Sequence, residues 1–110
     1  MSEDTLKKAV ENISKYERNV DEAMVNKIIK HLGIALRSRD ASMVSCSQAS
    51  ELATVRDKFL KKKLGLTQSD AELDAALKEL CEQMKGEKNK SRITVYYLLA
   101  KKFGKESVFA

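Results

Sequence analysis

Ser91-Arg92-Ile93-Thr94-Val95-Tyr96-Tyr97-Leu98-Leu99-Ala100-Lys101-Lys102-Phe103 is the stretch that decides the fold. Its middle, Ile93 to Ala100, is apolar or aromatic nearly all round, so periodicity alone does not separate helix from strand. Length and context do. The run continues for about thirteen residues without a break, Gly104 follows it, and no partner strand is evident elsewhere. A helix is expected, and a helix apolar on every side must be covered on every side. It is either the central helix of a domain or partly a subunit interface.

Working outward from it, Ser69 opens a preceding helix with Glu72 three residues on, the capping-box spacing. Leu73, Ala76, Leu77, Leu80, Cys81 and Met84 form its stripe, about 140° wide, a face turned to a core before Gly86 stops it. Before that, Ser47 is the expected N-cap of a helix with core face Ala49, Leu52, Ala53, Val55, Phe59 and Leu60, ending at Leu64-Gly65. Asp21 caps another, striped by Met24, Val25, Ile28, Ile29, Leu32, Ala35 and Leu36. Gly33 sits on its polar side, so the helix either runs through at a cost of about 1 kcal/mol or ends there. Leu6, Ala9, Val10, Ile13 and Tyr16 mark the first helix. Arg37 to Ser50 is serine-rich and least patterned, a connection with one short helical turn around Ala41 to Val44. The expected fold is all-α: one compact domain over residues 1–110, about five helices packed around the apolar C-terminal one.

Hydrophobic residues at 43% and charged residues at 34% suffice for a core and a solvated surface, and four Gly with no Pro leave little for a linker. The start, Met1-Ser2-Glu3-Asp4-Thr5, has neither the basic opening nor the apolar run of a secretory signal. Ile93 to Ala100 is too short to cross a bilayer core of roughly 30 Å. With no export signal, Cys46 and Cys81 are expected as reduced thiols and the cytoplasm as the location.

Charge is segregated. The net charge of +5 lies wholly in the second half, in Arg56 to Lys63 and Lys85 to Lys105, on either side of an acidic stretch from Asp70 to Glu82. Segregation of this kind is where an anionic partner would be sought. Three segments share a pattern: Ile28-Ile29-Lys30-His31-Leu32-Gly33, Phe59 to Gly65, and Leu98 to Gly104. Repeated ligand-binding units would look like this, but helix C-termini explain it better: Gly takes the left-handed cap, and cations complement the negative helix end. The unequal spacing also argues against a repeat array.

Candidate chemistry is sparse. His31 is the single histidine, and no set of zinc ligands with short spacings accompanies it. Cys81 lies on an apolar stripe, where a small buried hydrophobe is the ordinary explanation, and nothing flanking Cys46 would activate a thiol. Asp70, Glu72 and Asp74 resemble a calcium loop, but the sixth and twelfth places are Ala75 and Cys81 where Gly and Glu are needed. No phosphate loop or nucleophile turn appears. No cofactor and no catalysis are expected. Lys61, Lys62, Lys63, Lys88, Lys90, Arg92, Lys101, Lys102 and Lys105 are the candidate contacts to an anion or nucleic acid. Against that use, Phe59, Tyr97 and Phe103 fall on core faces, and only five of the 21 cations are Arg.

Leu52-Ala53-x-Val55, Phe59-Leu60-x-Lys62-Lys63-Leu64-Gly65-Leu66, Leu73-Asp74-Ala75-Ala76, Cys81-Glu82-Gln83 and Tyr96-Tyr97-Leu98-Leu99-x-Lys101-Lys102-Phe103-Gly104-Lys105-Glu106-Ser107-Val108 carry a resemblance. Over about Glu51 to Val108 the chain is similar to a family of small, uncharacterised, mostly bacterial proteins called domain of unknown function 2853. The resemblance implies a compact helical domain in a bacterial cytoplasm and brings no activity or site residues with it. The expected role is a non-catalytic interaction or accessory protein, engaging another protein or itself through apolar surface left open on the last helix. The alternative is a weak anion- or nucleic-acid-binding module using segments 56–63 and 85–105.

Overall fold

Caps and glycines set the helix limits in the computed structural model, which describes residues 3–33, 43–87 and 90–109. In order these are α1 (Glu3–Ile13), α2 (Glu22–Leu32), β1 (Met43–Val44), α3 (Ala49–Thr54), a π-helix (Val55–Lys63), α4 (Asp70–Gln83), β2 (Lys90–Ser91), α5 (Arg92–Lys102) and a 3-10 helix (Glu106–Phe109). Asp21 accepts a hydrogen bond from the Met24 amide, and Ser69 accepts one from the Glu72 amide, so each fills an orphan donor of a first turn. Gly33 settles the open alternative: it stands at φ +46° and α2 ends at Leu32. Ala35 and Leu36 lie outside the described residues. Gly104, at φ +66°, closes α5 with Lys105 N–H donating to Ala100 C=O and Gly104 N–H to Lys101 C=O, the paired bonds of a Schellman cap.

α5 is central. Every residue from Ile93 to Ala100 is buried, and one apolar cluster joins it to α1, α2, the π-helix and α4. The Tyr96 ring stacks on Phe59 at 3.7 Å between centroids, and Phe59 in turn meets Phe109 at 6.1 Å. The 3-10 helix thus doubles back to complete the core. Tyr97 accepts a hydrogen bond from the Asp21 amide through its hydroxyl, fixing the entry of α2 against α5.

Four expectations are corrected. The third helix is two elements: α3 buries none of its residues, while Val55, Phe59 and Leu60 are buried on the π-helix. Its N-cap is Gln48, without a side-chain bond, and not Ser47. Met43 and Val44 form a strand pairing antiparallel with Lys90 and Ser91, where a helical turn and no strand were expected; Ala41 lies outside the described residues. That ladder is too short to leave an alternating signature in the sequence.

The cysteines are the third correction. Cys46 and Cys81 form a disulfide, their Cα atoms 6.0 Å apart across 35 positions of sequence, inside the usual range for such bridges. Cys81 is half-buried and not a core hydrophobe. Spacing in sequence carried no hint of this, because α3 packing on α4 is what brings the two residues together. The fourth correction concerns α5: Tyr96, Leu98 and Leu99 are 8%, 7% and 0% exposed, so the helix leaves no apolar patch open for a second copy. Among the described residues, no helix is long and apolar enough to cross a membrane.

Candidate functional site

At each lysine-rich helix end one lysine pairs with an acidic partner. Lys61 pairs with Asp70 at the start of α4, and with Asp57 at 3.6 Å. Its pKa is raised, first by the hydrogen bond to Asp70. Beside it, Arg56 bonds Asp57 at 2.9 Å and Asp74 at 3.1 Å, which lifts its pKa and, through the same bond, lowers that of Asp57. Lys102, at the end of α5, bonds Glu79 at 3.0 Å. Asp70 and Glu79 are nine residues apart on α4, which at 3.6 residues per turn places them half a turn round and about 13 Å along. The two basic ends therefore sit on opposite flanks of α4 and do not make one face.

The other basic candidates are scattered as well. Lys63 lies 5.4 Å above the Phe109 ring, near His31, whose pKa is lowered first by desolvation and then by that lysine. Lys90 donates to the Glu87 carbonyl at 3.0 Å. Arg92 ties β1, α3 and α5 together: it bonds Glu51, donates to the Met43 carbonyl at 3.2 Å and reaches the Tyr96 hydroxyl at 3.3 Å. Burial opposes its charge, but the Tyr96 and Glu51 contacts outweigh that and raise its pKa. Lys62 is exposed, Lys101 and Lys105 are half-buried, and Lys88 lies outside the described residues.

Two polar features were invisible in the sequence. The first is a knot between α1, α5 and the segment after α4. Thr94, 0% exposed, donates through its hydroxyl to Asn12 Oδ1. Asn12 Nδ2 donates to Glu87 Oε1 at 2.6 Å, and the Tyr16 hydroxyl donates to Glu87 Oε2. Burial works to raise the Glu87 pKa, yet the bonds from Tyr16 and Asn12 and the charge of Lys15 bring it below the usual value. Tyr16 is pushed up to about 12, chiefly by desolvation and then by its bond to Glu87. Both shifts lead away from neutral pH, where proton transfer in catalysis is most effective.

The second feature is a half-open cavity of about 590 Å³ between α4, α5 and the α1–α2 turn. Leu80, Leu98 and Leu99, all nearly covered, lie beneath it, and Glu17, Glu79, Glu82, Lys101 and Lys102 are among the charged groups around them, with Lys102 bonded to Glu79. Ligand pockets usually fall between roughly 300 and 1,000 Å³. The amphipathic stripe of α4 and the all-round apolarity of α5 force their packing, and the charged residues flanking each stripe become the rim. Lys101 and Lys102 are thus the two sequence-selected residues that the fold brings to a concave surface. Among the described residues no group of acidic, histidine or cysteine side chains is arranged to hold a metal ion.

Residues 8–107 match the family described as "Protein of unknown function (DUF2853)". That span extends the resemblance well before Glu51, through α2 and most of α1. No curated protein matches the chain.

Proposed function

We propose that this chain, which belongs to the family of unknown function 2853, acts as a non-catalytic interaction protein that engages another protein. The observation carrying the proposal is the cavity between α4 and α5, a concave surface that gathers lysines and glutamates around Leu80, Leu98 and Leu99. A concave surface with charged groups of both signs at its rim can orient a bound segment of a partner. The groups with shifted pKa support the same reading, since Glu87, Arg92 and Arg56 spend their charge on internal bonds.

The test is charge reversal at the rim. Lys101→Glu together with Lys102→Glu should abolish capture of a partner from native lysate while the helical circular dichroism is kept. A captured set identical for both proteins would refute the role of this cavity.

Anion or nucleic-acid binding ranks second, because Lys61, Lys102 and Arg92 would have to leave carboxylate partners to meet phosphates. A labelled oligonucleotide titrated across a salt series should bind weakly, without sequence preference, or not at all at physiological salt. Tight binding there, lost when Lys61, Lys62 and Lys63 become Ala, would reverse the ranking.

A further inference from the structure

α3 is poorly equipped to hold itself in place. Six residues are far below the length at which a helix is stable alone, the Gln48 cap makes no side-chain bond, and none of its side chains is buried. Besides the partial packing of Leu52 on the core, three ties fix it: its continuation into the π-helix at Val55, the Arg92–Glu51 ion pair, and the Cys46–Cys81 bond just before its first turn. Under α3 lies a cleft of about 350 Å³ against α4, walled by Leu52, Ala53 and Leu77 and edged by Arg56, Asp74 and Lys78. The disulfide joins the residue three positions before Ala49, which lines the cleft, to the residue three positions after Lys78, which also lines it. Both cysteines are half-buried residues.

We propose that the Cys46–Cys81 bond is a redox-operated clasp: reduction releases α3 from α4 and opens the cleft beneath it, while the α1–α2–α4–α5 core stays folded. The co-reactant is a dithiol. Its thiolate attacks one protein sulfur, the S–S bond breaks, and the other sulfur leaves as a thiolate that takes up a proton. The second thiol of the reductant, losing its proton, then displaces the first protein sulfur, which is protonated in turn. Two electrons and two protons pass to the protein, and the dithiol becomes a cyclic disulfide. The step reverses, because the π-helix and Arg92 keep α3 tethered near Cys81. Local release of this kind is expected where few buried contacts hold a segment. The clasp is independent of the partner-binding reading, since the α4–α5 cavity is separate from this cleft.

Hydrogen–deuterium exchange on the full chain tests it, with the oxidised protein compared with the same protein in dithiothreitol. Amides of 49–54 should exchange at least tenfold faster after reduction, with α2 and α5 unchanged, and reoxidation should restore protection. Cys46→Ser should show the fast pattern with or without dithiothreitol. Unchanged exchange in 49–54 would overturn the clasp, and so would loss of protection throughout α2 and α5, which would make the bond a global staple. Two thiols that still react with a thiol reagent after mild oxidation would overturn it too.

Discussion

Glu87→Gln removes one charge from the knot that joins α1 to α5 and keeps the shape. In the native protein this carboxylate, 17% exposed, accepts hydrogen bonds from Asn12 and Tyr16. Bonds to charged groups are worth about 1.5–3 kcal/mol each. Glutamine offers one acceptor oxygen and one NH₂, so one of the two donors then faces another donor. The Tyr16 hydroxyl can turn and accept, but a neutral bond replaces a charge-assisted one and the Asn12 orientation is compromised. Lys15, 60% exposed and 3.7 Å away, adds at most a few tenths of a kcal/mol. The expected loss is about 2 kcal/mol at pH 7, a fall of about 1 M in the urea midpoint for a domain of this size. The pH dependence carries the stronger check. Because the folded pKa of Glu87 lies below its ordinary 4.5, the unfolded chain takes up the proton first as pH falls. The stabilisation is therefore complete well above 4.5 and is lost as pH drops through the folded value. Urea titrations of both proteins from pH 7 to pH 3 should converge at the acid end. A difference that is absent at pH 7, or constant across the range, would refute the role given to this carboxylate.

Two further outcomes follow from the packing. Leu77→Ala, at a site 2% exposed in the middle of the α4 stripe, should cost about 2–5 kcal/mol in denaturant unfolding through lost burial and a cavity; an unchanged midpoint would mean that the stripe does not face the core. Gly104→Ala meets no atom within 4 Å of the added carbon, yet it forces φ +66° on an L-residue. About 1 kcal/mol should be lost, seen as a lower thermal midpoint without a change in the circular dichroism of the folded protein.

Local chemistry was legible and long-range chemistry was not. Asp21, Ser69 and the glycines at 65 and 104 act within one helical turn, so their caps could be placed from spacing alone, whereas Gly33 left two alternatives that the structure decides. The burial of Ile93 to Ala100 follows from composition, whatever covers it. The π-helix escaped because an i→i+5 winding differs from an α-helix by one residue per bond. A trace did exist: Val55, Phe59, Leu60 and Leu64, all buried, recur four and five residues apart, not three and four. Arg92, read as a phosphate contact, binds Glu51 from 41 positions away. Asn12 and Glu87 are separated by 75, and polar residues follow no period that would pair them. The knot and the disulfide are products of the assembled fold.

The helix that all the others surround is also the last of the α-helices to be made. When α1 has been synthesised, about 90 residues remain before α5 is complete, on the order of 5–20 s at ordinary rates of translation. Throughout that interval Ile13, Ile28 and Leu73 have no Tyr97 or Leu99 to pack against. α1 and α2, and α4 and the π-helix, can pack on each other in pairs, but the faces that α5 covers stay open until it is made. The core is complete only when α5 is in place, and before that the growing chain carries apolar stripes with nothing to cover them.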